Sequence, residues 1–130
     1  MIGLDTNILV RFITHDDATQ AATAMRLMAS LSADSPGYVS LVVLVELIWV
    51  LEGFYRFRGK EVEDVVESLL RGREMRLERP DLVEQAVRRF KAGSADLADC
   101  IIERAAHAAG CDYTLTFDRK AVSAGMKLAI

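Results

Sequence analysis

Residues 40–54 are nearly all apolar, and the acid in their middle, Glu46, is flanked by Val42, Val43, Leu44 and Val45 on one side and by Leu47, Ile48, Trp49 and Val50 on the other. Their β-branched content favours a strand. Their length and the stop at Gly53 favour a buried helix, which is the assignment adopted here. An ionised carboxylate inside so apolar a segment is costly unless paired or metal-bound, so Glu46 needs a partner. An arginine in a structural ion pair and a metal ion both meet that need.

The rest of the chain alternates short apolar runs with amphipathic ones. Met1 to Leu4 reads as a strand that delivers Asp5 at its carboxyl end, with Asp5, Thr6 and Asn7 capping a helix from Ile8. Asp16 and Asp17 cap a second helix, with Ala18, Ala21, Ala22, Met25 and Met28 at helical spacing before the Asp34-Ser35-Pro36-Gly37 break. Tyr38 to Ser40 and Met75 to Leu77 read as short strands. Residues 61–70 form an amphipathic helix, and Pro80 opens another whose apolar face is Leu82, Val83, Ala86, Val87 and Phe90. A helix over 95–109 has Leu97, Ile101, Ala105 and Ala108 on its core side and ends at Gly110. Tyr113 to Thr116 and Lys127 to Ile130 complete the strands. With 130 residues, 52% of them hydrophobic, the expectation is one domain over 1–130. Its class is α/β, a three-layer sandwich with a short, mostly parallel central sheet flanked by helices, because parallel strands need crossover helices.

In such sheets the ligand crevice lies outside the carboxyl ends of the strands, where Asp5 and Asp118 both fall. Asp96, Asp99 and Glu103 recur at helical spacing and form a carboxylate stripe opposite the core face. The bland alternatives are a solvated helix face, with Asp96 as its N-cap, and Asp5 as a helix cap alone. Gathered together, carboxylates repel and raise one another's pKa unless a divalent cation neutralises them, which is the signature of a magnesium or manganese site.

Other chemistries have little support. His15 and His107 have no serine or cysteine in a nucleophile setting, and the glycines are scattered with no phosphate loop. Cys100 and Cys111 lack a zinc spacing and read as reduced structural thiols. A net charge of −3 leaves nucleic-acid binding to local groups: Arg56, Arg58 and Lys60, and then Arg71, Arg73, Arg76 and Arg79, each readable as solvated helix ends or as phosphate contacts. The start lacks a leader pattern and no run reaches the roughly 18 apolar residues of a membrane span, so a soluble cytoplasmic protein without membrane contact is expected.

Four segments together resemble the PIN-domain ribonucleases, and within them the small VapC-like toxins of toxin–antitoxin pairs. They are Ile2-Gly3-Leu4-Asp5-Thr6-Asn7, Ser40-Leu41-Val42-Val43-Leu44-Val45-Glu46-Leu47, Ala95-Asp96-Leu97-Ala98-Asp99 and Thr114-Leu115-Thr116-Phe117-Asp118-Arg119-Lys120. The resemblance covers essentially the whole chain. It implies an endoribonuclease that uses Mg2+ or Mn2+ and a metal-activated water, held inactive by a cognate antitoxin. Asp5, Glu46, Asp99 and Asp118 match the family's metal-site acids, and Thr6, Asn7 and Thr116 match its polar neighbours. Asp96 and Asp99 both suit the third acid, with Asp99 as the main one and Asp96 assisting.

Two other readings stay open: a metal-dependent nuclease acting on DNA or phosphate esters, and a catalytically silent scaffold that binds a protein. The apolar run from Leu41 to Phe57 exceeds what one helix of a small domain buries, so a homodimer and an antitoxin are the expected partners beside the RNA substrate. Trp49, Phe54, Tyr55 and Phe57 within it read as core or interface, or as base-stacking platforms.

Overall fold

The computed structural model describes residues 1–130. In chain order the elements are β1 (Ile2–Gly3), α1 (Thr6–Thr14), α2 (Ala18–Ser30), β2 (Gly37–Val39), α3 (Leu41–Gly53), α4 (Gly59–Arg71), β3 (Met75–Leu77), α5 (Pro80–Ala92), α6 (Leu97–Ala108), β4 (Leu115–Thr116), a 3-10 turn over Arg119–Ala124 and β5 (Lys127–Leu128). The mixed α/β class with a short parallel sheet is as expected. The residues group into two compact units, Met1–Glu78 and Arg79–Ile130.

In the first unit β2 lies between β1 and β3, and both pairings are parallel: Ile2 opposite Gly37, and Gly37 opposite Met75. Parallel neighbours force each connection through helices, α1 and α2 between β1 and β2, and α3 and α4 between β2 and β3. The approach of the strands to their cover is close at Gly37, where an added Cβ would lie 2.7 Å from Leu4 Cδ1 and 3.0 Å from Leu31 Cδ1. Leu9, Leu44, Leu47, Ile48, Leu51, Val62 and Val66 form the buried centre.

The second unit packs α5 on α6 and joins β4 to β5 in a separate parallel pair, Leu115 opposite Lys127. Pro80 opens α5 as expected, behind Arg79 in a left-handed conformation. Gly125, also left-handed at φ 103°, ends the 3-10 turn against the Arg89 and Glu103 side chains.

Several expectations need correction. The first helix starts at Thr6, not Ile8, because Asp5 alone caps it by accepting from the Thr6 N–H at 2.8 Å. Asp17, not Asp16, caps α2, and its buried positions are Ala21 and Ala24, while Met25 and Ala22 face outward. In α6 the buried positions are Leu97, Ala98, Cys100, Ile101 and Glu103, and Ala108 is exposed. Glu103 therefore leaves the exposed stripe assigned to it and pairs with Arg104 at 2.6 Å. The last two strands are shorter than expected, Leu115–Thr116 and Lys127–Leu128.

Helix α3 combines fully buried and largely exposed apolar residues. Replacing Leu47→Ala is expected to cost about 2–5 kcal/mol through transfer and cavity terms. Val42→Ala on the exposed face should stay within about 0.5 kcal/mol. Urea unfolding of the two variants beside the parent checks both values.

Candidate active site

Asp5 follows β1, and Ser40 and Glu78 follow β2 and β3, so three polar side chains collect at the carboxyl ends of the parallel strands. Ser40 Oγ accepts from the Val43 N–H at 3.1 Å and Glu78 Oε1 from the Leu41 N–H at 2.9 Å. Two donors of the first turn of α3 are thereby satisfied, which fixes where that helix begins and how it presents Glu46. Glu46 is exposed, not buried as its apolar neighbours suggested. Its partner is the buried Thr6 hydroxyl, which donates to Glu46 Oε1, in place of the arginine that an ion pair would need. Asp5, Thr6, Asn7 and Glu46 together line a cavity of about 510 Å3 that continues past Arg11 and Asp16 to Phe54 and Tyr55.

The second unit holds the other acids. Asp96 stands at the N-cap of α6 without a side-chain cap bond, and Asp99 lies half-buried in the first turn. Burial pushes the Asp99 carboxyl above the usual aspartate range, and the negative charges of Asp96 and then Asp118 push it further. Asp118 caps the 3-10 turn, with Oδ1 accepting from the Lys120 N–H at 2.9 Å. Thr116 Oγ1 accepts from the Asp118 N–H at 3.0 Å and so fixes the bend that carries this acid. Asp96, Asp99 and Asp118 thus share one electrostatic field. Glu103, one turn beyond Asp99, behaves oppositely: the Arg104 guanidinium bonded to it holds its carboxyl below the usual range.

Within each unit the structure brings together what the sequence singled out: Asp5, Thr6 and Glu46 in the first, Asp96, Asp99 and Asp118 in the second. Arg11, Asp16 and Tyr55, joined by hydrogen bonds in the cavity wall, were not singled out as a group. Glu78 was also missed, although the signal that drew attention to Asp5 and Asp118, an acid directly after a strand, was present there. The basic groups favour the bland reading in part, since Lys60 pairs with Glu63 and Asp64, Arg71 with Glu67, and Arg79 with Asp81. His15 and His107 are exposed at helix ends, and Cys100 is buried, its thiol pushed up to about 11 by desolvation.

Comparison with known families matches the PIN domain model over residues 2–125. The chain belongs to the PIN-domain family. This PIN domain is also similar to the VapC ribonuclease of Aquifex aeolicus (strain VF5), with 23% identity over 125 residues, covering 95% of this chain and 92% of the relative.

The donor chemistry of the PIN domain suits a hard divalent cation, because every acid singled out offers carboxylate oxygens and no soft ligand intrudes. The raised Asp99 carboxyl marks negative charge that a cation would relieve. No three His, Cys, Asp or Glu side chains converge closely enough to hold an ion as the side chains stand. No helix is long and apolar enough to cross a membrane.

The Asp99 shift gives a stability prediction. The folded carboxyl keeps its proton to higher pH than the unfolded one, so a penalty on folding grows as pH rises through the folded value and stays at full size above it. Asp99→Asn removes that penalty. In EDTA at pH 7.5 it should melt roughly 1–3 °C above the parent, a difference that fades below about pH 4. A lower melting temperature at neutral pH would show that the ionised Asp99 does not cost the fold stability.

Proposed function

We propose that this protein is an endoribonuclease dependent on Mg2+ or Mn2+ and acts as the toxin of a toxin–antitoxin pair. The observation that carries the reading is the bonding of Asp5 and Glu46 to Thr6, at the carboxyl edge of a parallel sheet, in a chain of the PIN-domain family. Likeness to a VapC ribonuclease supports RNA as the substrate.

Asp5, Glu46, Asp99 and Asp118 would hold the cation, with Asp96 assisting Asp99. When bound, a divalent cation supplies charge neutralisation at the scissile phosphate and acidifies a coordinated water. The chain's own part is preorganisation. Asp5 commits Oδ1 to the Thr6 N–H, Glu46 commits Oε1 to the Thr6 hydroxyl, and Asp118 commits Oδ1 to the Lys120 N–H. Each is left with a second oxygen that these bonds do not use, so each carboxylate is oriented within its own unit before any ligand arrives. Asn7 adds a polar side chain to the same cavity, and Thr116 fixes the Asp118 bend. With both histidines at exposed helix ends, proton transfer falls to carboxylates and water.

The proposed protein partners are an antitoxin and a second copy of this chain. The exposed apolar side chains Val42 and Trp49, at 79% and 57%, support an associating surface on α3. Light scattering at micromolar concentration should give a dimer mass, and a monomer mass would remove that assembly.

Cleavage of a mixed RNA pool tests the activity. Cutting should occur with Mg2+ or Mn2+, stop in EDTA and be lost in folded Asp5→Asn and Asp99→Asn variants. Thr6→Val should lower the rate about 10- to 100-fold, as loss of a ligand-orienting contact does, while Thr6→Ser retains it. Undiminished cutting in EDTA, or by folded Asp99→Asn, would falsify the metal assignment.

A further inference from the structure

The cavity that Asp5, Glu46 and Asn7 line on one part of its wall carries, on another, groups that the proposed chemistry does not use. Arg11 is the single cation among the lining residues. Its Nε donates to Gln20 Oε1 at 2.8 Å and its Nη1 to the Tyr55 hydroxyl at 3.2 Å. The Tyr55 hydroxyl in turn donates to Asp16 Oδ2 at 2.8 Å. Arg11 and Asp16 themselves are 3.9 Å apart, the limit of an ion pair, and the Asp16 side chain is half exposed. The guanidinium is therefore oriented by two neutral acceptors and only loosely neutralised. Of its five N–H groups, two are committed to those acceptors, and the fork keeps donors for an anion.

Beside it stands Phe54, 74% exposed at the C-terminal end of α3 and also in the cavity wall. Its ring and that of Tyr55 form a T-shaped pair, with centroids 4.9 Å apart and planes at 66°, so the two are not stacked and the exposed Phe54 ring keeps surface for another partner. The volume lies within the roughly 300–1,000 Å3 span of ligand cavities. An oriented guanidinium and an open aromatic face in one cavity are the two elements that recognise a nucleotide: phosphate on the fork, base on the ring.

We propose that this cavity is a nucleotide subsite of the RNA strand, with Arg11 taking a phosphate, Phe54 stacking an unpaired base, and Tyr55 positioning Arg11. The inference rests on the nuclease reading for the identity of the strand as substrate. It implies a preference for single-stranded or looped RNA, because a base inside a duplex cannot offer its face to Phe54. Two of the lining acids, Asp5 and Glu46, would equally suit a basic side chain of a protein partner. Asp16 is a third lining acid, and the three carboxylates repel a phosphate when no cation is bound, so the phosphate is assigned to the Arg11 fork and the strand is bound in Mg2+.

The test is binding of a fluorescein-labelled, mixed-sequence single-stranded RNA to the full chain by anisotropy, in Mg2+ and in the Asp99→Asn background so that the strand survives. Phe54→Ala should weaken binding roughly 5- to 100-fold with its salt dependence unchanged, the signature of lost stacking. Arg11→Met should reduce the slope of log K against log salt by about 0.7, the signature of one lost phosphate contact, and Arg11→Lys should restore the slope. Tyr55→Phe should weaken binding less than Arg11→Met. Tyr113→Ala, an exposed aromatic outside the cavity lining, should bind like the parent, and the matched duplex should be insensitive to Phe54→Ala. Parental binding by both Phe54→Ala and Arg11→Met, with melting curves confirming their fold, overturns the subsite and gives the cavity to another occupant. Equal loss in Tyr113→Ala overturns it too, since the effect would then come from exposed aromatic surface in general. Either result leaves the nuclease reading standing if Asp99-dependent cutting persists. Conversely, Phe54- and Arg11-dependent binding by a protein that cuts nothing upholds the subsite and removes that reading.

Discussion

Parallel pairing of β1, β2 and β3 governs the first unit, because a parallel strand is left only through a crossover and every crossover here begins at the same edge. The strands are only two or three residues long, so the turns after them, and not the strands, carry the polar side chains. Asp5 caps α1, while Ser40 and Glu78 satisfy the first donors of α3 from the ends of two neighbouring strands. A helix whose first turn is anchored twice has a defined rotation. Glu46, less than two turns further on, therefore meets Thr6 across a separation of 40 residues.

Helix α3 shows how apolar content and burial part company. Leu44, Leu47, Ile48 and Leu51 are buried, yet Val42 and Trp49 are among the most exposed apolar side chains of the protein. The composition of the run suggested burial on all sides and an expensive acid at its centre. One face instead reaches solvent, and Glu46 lies on it. The acid is held by a neutral hydroxyl that preserves its charge, which is what a ligand for a cation needs. A structural ion pair would have spent that charge inside the protein.

Much of this architecture was legible in the sequence. The strands at Met75–Leu77 and around Tyr38, the start of α5 at Pro80 and the helical state of residues 41–53 all follow from short apolar runs bounded by caps and breakers. What was not legible depended on which element packs where. Ala24 is buried and Met25 exposed because α1 covers one side of α2, and periodicity alone does not say which side has a neighbour. The carboxylates of α6 diverge for the same reason. Asp99 and Glu103 are one turn apart and were read as equivalent, but Asp99 faces Asp96 and Asp118, while Glu103 is buried among Arg104, the Arg89 charge and Gly125. Asp99 is raised by burial and then by its acidic neighbours, and Glu103 is lowered by its bond to Arg104, surroundings that spacing within a helix does not reveal.

The candidate site divides along the same line. Its acids were visible because each follows a strand, interrupts an apolar run or recurs at helical spacing, which are local signals. The Arg11, Tyr55 and Asp16 group was not, since its members stand 39 and 44 residues apart across the hydrogen bonds that unite them. None breaks a local rule: Arg11 is an ordinary charge in the last turn of α1, Asp16 an ordinary turn residue, and Tyr55 an ordinary aromatic after a helix. Chemistry that demands an unusual residue at a given place leaves a mark in the sequence. Recognition assembled from usual residues leaves its mark only in the folded chain, where the hydroxyl of Tyr55 joins the guanidinium to the carboxylate and makes a directed group of three unremarkable side chains.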